Sequence, residues 1–160
     1  MLLSRYKTGS EKPIRWQMWW AVIGKESFSK EDIDALIEFN RRLMARRGHN
    51  FDVNRGELDS IFKQLGKFRS ITDHRTRIIN MAAWILYGIA ESRPFFDGNK
   101  TSASATCIRF LNWNGYDLLI ELLDIKREMH RLLTGVQRHY KDFDDVREFL
   151  KRSVITFRSR

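Results

Sequence analysis

One stretch, Asp73 to Ser92, constrains the fold of this chain more than any other. Ile78, Ile79, Met81, Ala82, Ala83, Trp84, Ile85, Leu86, Tyr87, Ile89 and Ala90 leave little of its helical circumference polar. A helix apolar nearly all round has to be covered on every side, so it belongs at the centre of a helical domain. It ends at Arg93-Pro94, because the residue before a proline is pushed out of helical geometry. Nine glycines and two prolines in 160 residues also argue against a turn-rich all-β chain.

The flanking segments read as helices that cover this central one. Ser29 opens a helix through an [ST]-x-x-[DE] capping pattern, Ser-Lys-Glu-Asp. Ile33, Leu36, Ile37, Asn40, Leu43 and Met44 then fall on one face, and Gly48 closes it. A second helix is predicted from Gly56 to Phe68. After the loop Pro94 to Gly98, helical spacing resumes through Ala103, Cys107, Phe110 and Leu111 and stops at Asn114-Gly115. Two more helices are expected, at Leu122 to Leu133 and Asp144 to Val154. Upstream, residues 1–13 read as a flexible segment. Residues 14–23, with Trp16, Trp19 and Trp20, read as a helix docking on the core, since a tryptophan buries a large area.

Charge and cysteine content narrow the partners. The formal charge is +9, from 29 Lys and Arg against 20 Asp and Glu. Such a field attracts nucleic acid, acidic proteins or phosphorylated ligands. The plainer alternative is the solvated surface of a basic protein, and the aromatic residues do not interleave regularly with the basic ones. The single cysteine, Cys107, excludes an intrachain disulfide and a cysteine zinc cage. The longest nearly apolar run, Met81 to Ala90, is about half the ~20 residues of a membrane helix. Residues 1–10 lack the apolar core of a signal peptide. The expectation is a soluble, cytoplasmic protein.

Chemistry concentrates in Arg93-Pro94-Phe95-Phe96-Asp97-Gly98-Asn99-Lys100-Thr101-Ser102-Ala103. A helix opening at Gly98 and Asn99 presents unpaired amides and a positive dipole end. Gly98 allows close backbone approach. Lys100, Thr101 and Ser102 add a cation and two hydroxyls in the first turn, and Asp97 could hold a divalent cation bridging phosphate oxygens. The plainer alternative is an ordinary helix start with Asp97 as N-cap.

This segment resembles the signature of the Fic/Doc (Fido) family, written His-Pro-Phe-x-Asp-Gly-Asn-Lys-Arg-Thr-Ala in its death-on-curing branch. Phe110-Leu111 and Asn114-Gly115 continue the pattern without a gap, and Asn54-Arg55-Gly56-Glu57-Leu58 is loosely similar to an earlier segment of that branch. The resemblance implies an all-α Fido fold over residues 14–160 with its core at 29–154, and a central helix–loop–helix that carries the phosphate-binding motif. It further implies transfer of AMP or phosphate from a nucleoside triphosphate, with ATP expected, to a protein hydroxyl, often in a toxin paired with an antitoxin. Asp97 would then be the Mg2+ ligand. Gly98, Asn99, Lys100, Thr101 and Ser102 would cradle phosphates, and Pro94 and Phe95 would anchor the loop, Phe95 in the core.

Two positions depart from the signature. Arg93 stands at the general-base position, where the family has His. Its guanidinium stays protonated and cannot take the proton of an attacking hydroxyl. Thr101 replaces the following Arg and lacks the planar fork that clamps phosphate oxygens. By sequence position none of His49, His74, His130 and His139 repairs the loss, and each is expected as an ordinary surface histidine. The expected function is therefore a Fido-type transferase with impaired or altered catalysis. The alternatives are an inactive Fido module with an interaction or regulatory role, or a basic nucleic-acid-binding module on the same scaffold.

Overall fold

The structure, a computed structural model, describes residues 24–156. The expected segments at 1–13 and 14–23 lie outside the described residues. Six α-helices follow one another: α1 (Lys30–Arg47), α2 (Arg55–Lys63), α3 (His74–Ser92), α4 (Asn99–Trp113), α5 (Leu123–Gln137) and α6 (Phe143–Ser153). A 3-10 turn, Gln64–Phe68, prolongs α2. Two three-residue strands, β1 (Tyr116–Leu118) and β2 (Val154–Thr156), pair antiparallel with Asp117 opposite Ile155.

The apolar segment is the central helix. Ten of its apolar or small residues, from Ile78 to Ala90, are buried. Trp84 and Tyr87 are only half-covered and join Phe68 and Phe143 in an aromatic cluster on one flank. α4 packs along α3 with Ala103, Cys107, Phe110 and Leu111 inward, the spacing read from the sequence. Burial pushes the Cys107 thiol up to about 12, so it acts as a core side chain and not as a nucleophile.

Local sequence sets each boundary that matters to the site. Ser29 and Asp32 form a reciprocal capping box at the start of α1, and Gly48 ends it in the left-handed region at φ 67°. The 3-10 turn, the two strands and the capping of α6 by Asp142 with Asp145 differ from the expectation of plain helices. The strands hold Asn114-Gly115 and the end of α6 together and leave the helical architecture intact.

A candidate phosphate site at the start of helix α4

The loop between α3 and α4 is built by three separate devices. α3 ends with Arg93 in the left-handed region at φ 50°, its N–H donating to the Ile89 carbonyl. Pro94 to Phe96 then runs beside Asp52 to Asn54: Asn54 N–H donates to the Pro94 carbonyl at 2.7 Å, and Phe96 N–H to the Asp52 carbonyl at 3.0 Å. Asn54 also caps α2 through its side chain, so the start of α2 and the loop are fixed together. Finally Asn99 closes the loop on itself. Its Oδ1 accepts from Phe95 N–H at 3.0 Å and its Nδ2 donates to the Phe95 carbonyl at 2.9 Å. Phe95 is buried at 3% exposure, as the resemblance implied.

From the other side, α1 holds the loop through Asn40. This fully buried residue donates from Nδ2 to the Asp97 carbonyl at 2.9 Å and to Ser102 Oγ at 3.1 Å. Gly98 sits against the same helix at φ 76°; a Cβ there would meet Met44 Cε at 2.8 Å and Asn40 and Leu43 at 3.0 Å. The glycine therefore serves the fit between α1 and the loop.

The loop borders a cavity of ≈ 520 Å³. Arg47, Arg93 and Lys100 line it with Asp97, Phe96, Thr101, His130 and Gln137. Among the described residues no side chain caps α4, and its first bond runs from Ser102 N–H to the Gly98 carbonyl at 2.9 Å. The amides of Asn99, Lys100 and Thr101 thus lead the helix without an intrahelical partner. Asp97 is not the N-cap. It precedes the capping Gly98, and its Oδ1 accepts the Gly98 N–H at 2.7 Å while Oδ2 lies 2.7 Å from His49 Nδ1. The Gly98 amide first, and His49 second, hold this half-exposed carboxyl below the usual carboxylate range.

The sequence-predicted residues divide accordingly. Asp97, Gly98, Asn99, Lys100 and Thr101 come together on the cavity wall. Ser102 does not: it is fully buried, its hydroxyl bonded to Asn40. Lys100 Nζ donates to Thr134 Oγ1 at 3.2 Å, on α5. Arg93 is exposed at the rim, and its guanidinium donates to the Gln137 carbonyl at the end of α5 at 3.1 Å. His49 reaches the loop through Asp97 and His130 lines the cavity beside it, both from exposed positions as expected of surface histidines. Arg47, whose Nη2 lies 3.5 Å from Thr101 Oγ1, also reaches the loop, and no motif in the sequence singles it out. Asn40 was placed on the inward face of its helix, but nothing in the sequence named its partners 57 and 62 residues away.

The all-α domain thus brings the leading amides of α4, a lysine and a carboxylate to the wall of one cavity. The sequence pattern of the Fic/DOC family matches residues 30–111, just over half the chain, from α1 through most of α4. The chain belongs to this family, whose members generally use a nucleotide with Mg2+ to modify protein targets. The search of curated proteins returns no match. Among the described residues no helix is long and apolar enough to cross a membrane.

Proposed function

We propose that this domain binds a Mg2+-bound nucleoside triphosphate, with ATP expected, at the start of α4, and transfers AMP or phosphate to a protein hydroxyl with impaired or altered catalysis. The observation that carries the reading is the charge of the cavity: three cations, Arg47, Arg93 and Lys100, face one carboxylate around the leading amides of α4. A helix start adds partial positive charge to that excess.

The residues present fit a hard divalent cation. Asp97 is ionised and half-exposed at the rim, and such cations bind through one or two carboxylates together with substrate phosphates. Held by Asp97, Mg2+ would supply neutralising charge to the phosphate oxygens. The amides of Asn99, Lys100 and Thr101 would donate to those oxygens, with the Thr101 hydroxyl and the Lys100 ammonium released from Thr134 beside them. Ser102 lends only structure.

The acceptor hydroxyl must lose a proton, and Arg93 cannot take it. Loss of a general base typically costs ~10²–10⁴ in rate. His130 lines the cavity wall and carries an imidazole, the side-chain type that most often serves as a general base. A protein target and an antitoxin-like partner follow from the general habit of the family.

One observation favours a second reading, an inactive module that keeps the anion pocket for interaction or regulation. The Arg93 guanidinium is engaged by the end of α5, so the residue at the base position serves as a brace between helices.

Incubation of the protein with a lysate and triphosphates of all four bases tests both readings. Label placed at the α-phosphate or at the γ-phosphate separates AMP transfer from phosphate transfer. Retained label supports the transferase. Saturable binding without retained label supports the inactive module. Absence of binding at millimolar nucleotide overturns both.

A further inference from the structure

We infer that Arg47 is a phosphate-binding residue of this site: from the end of α1 it supplies, across the start of α4, the guanidinium fork that position 101 lacks. The inference rests on the nucleotide-binding reading above. Asn40, Met44 and Arg47 lie on one stripe of α1, with two helical turns between the first and last. Asn40 bonds to the Asp97 carbonyl and Ser102, and Met44 packs at Gly98, so the same stripe aims Arg47 at the first turn of α4.

The bonding of Arg47 separates it from its neighbours. Arg41 and Arg42 pair with Glu38, at 3.4 Å and 2.9 Å. Arg93 is held by the Gln137 carbonyl, and Lys100 by Thr134. Among the described residues Arg47 makes one hydrogen bond, to the neutral Thr101 hydroxyl at a long 3.5 Å, and no carboxylate there lies within ion-pair distance of it. A guanidinium has five donors in a fork that matches phosphate oxygens, and most of these are unspent here. The short Thr101 side chain leaves room for that fork, whereas an arginine at 101 would set two guanidinium groups side by side.

Calorimetric titration of the whole chain with Mg·ATP and with inorganic triphosphate tests the assignment, in the wild type and in Arg47→Ala, Arg47→Lys, Lys100→Ala and the double variant Arg47→Ala/Thr101→Arg. Arg47→Ala is expected to weaken both ligands about tenfold, the size of one charge-assisted hydrogen bond. Arg47→Lys recovers part of this, because an ammonium cannot fork. Adding Thr101→Arg restores the affinity to within about threefold of wild type. Wild-type affinity in Arg47→Ala alongside weakened binding in Lys100→Ala overturns the inference and leaves the nucleotide reading standing. A loss that Thr101→Arg does not restore also overturns it, since Arg47 would then act by holding α1 on the loop. Failure of the wild type to bind either ligand removes the nucleotide reading, and this inference with it.

Discussion

Two cavities meet at His130, and they differ in charge more than in size. The larger, ≈ 660 Å³, lies between α5 and α6 and is lined by three carboxylates, Glu128, Asp145 and Glu148, against three cations, Arg131, Lys141 and Arg152. Several of these are already paired: Arg152 with Glu128, and Glu148 with Lys151 at 3.4 Å. The smaller, ≈ 520 Å³, sets three cations against Asp97 and adds the leading amides of a fifteen-residue helix. A polyphosphate needs uncompensated positive charge and donors that no protein group has taken. Volume alone points to the cavity between α5 and α6, whereas charge balance points to the one beside the motif.

The largest expected effect comes from breaking the fit that shapes the smaller cavity. Gly98→Ala puts a side chain into a left-handed conformation and against Met44 and Asn40. It should lower stability by about 2–4 kcal/mol, read from urea unfolding, the sum of the conformational and overpacking costs. A loss under 1 kcal/mol would show that the loop can move away from α1.

Next comes the contrast between the two cavities. Lys100→Ala should weaken Mg·ATP binding by about 1.5–3 kcal/mol, roughly ten- to hundredfold, as for loss of a hydrogen bond to a charged group. Arg152→Ala, in the larger cavity, should leave it unchanged. The reverse pattern in a binding titration would move the site to the α5–α6 cleft.

Arg93→Ala tests the brace. Losing one hydrogen bond to the Gln137 carbonyl should cost about 0.5–1.5 kcal/mol in unfolding free energy. A variant as stable as the wild type would mean that the guanidinium spends its time in the cavity.

The smallest effect is in pH. The folded Asp97 carboxyl is held below its unfolded value near ~3.9. A group depressed in this way contributes stability above the unfolded pKa and loses it as pH falls through the folded one. Thermal midpoints should therefore show no Asp97 contribution to any change between pH 7 and 5. Asp97→Asn should flatten part of the acid limb below about pH 4. Asp32, Asp34 and Asp73 are held low as well and contribute to the same limb. An acid limb unchanged in Asp97→Asn would contradict the Gly98 and His49 contacts.

The helices were legible because their causes are local. Apolar spacing, the Ser29 capping box, Gly48 and Arg93-Pro94 lie within a turn or two of the boundaries they set. Strands of three residues show no usable alternation, so β1 and β2 were hidden, β2 directly after the end of a helix. Within the site, the loop residues were legible as a contiguous motif. Their supports were not, because Asn40, Arg47 and His49 reach Asp97, Ser102 and Thr101 across 48 to 62 residues. Ser102 misled for a related reason. Its place in the first turn suggested a ligand contact, but the helix rotates its hydroxyl inward to Asn40.

The most direct test of the charge-imbalance account is a backbone amide NMR titration with Mg·ATP. The account predicts saturable shifts that peak at Asn99, Lys100 and Thr101 and weaken as salt is raised. Shifts that peak instead at Tyr140, Lys141 and Asp145, or no shifts at all, would contradict it.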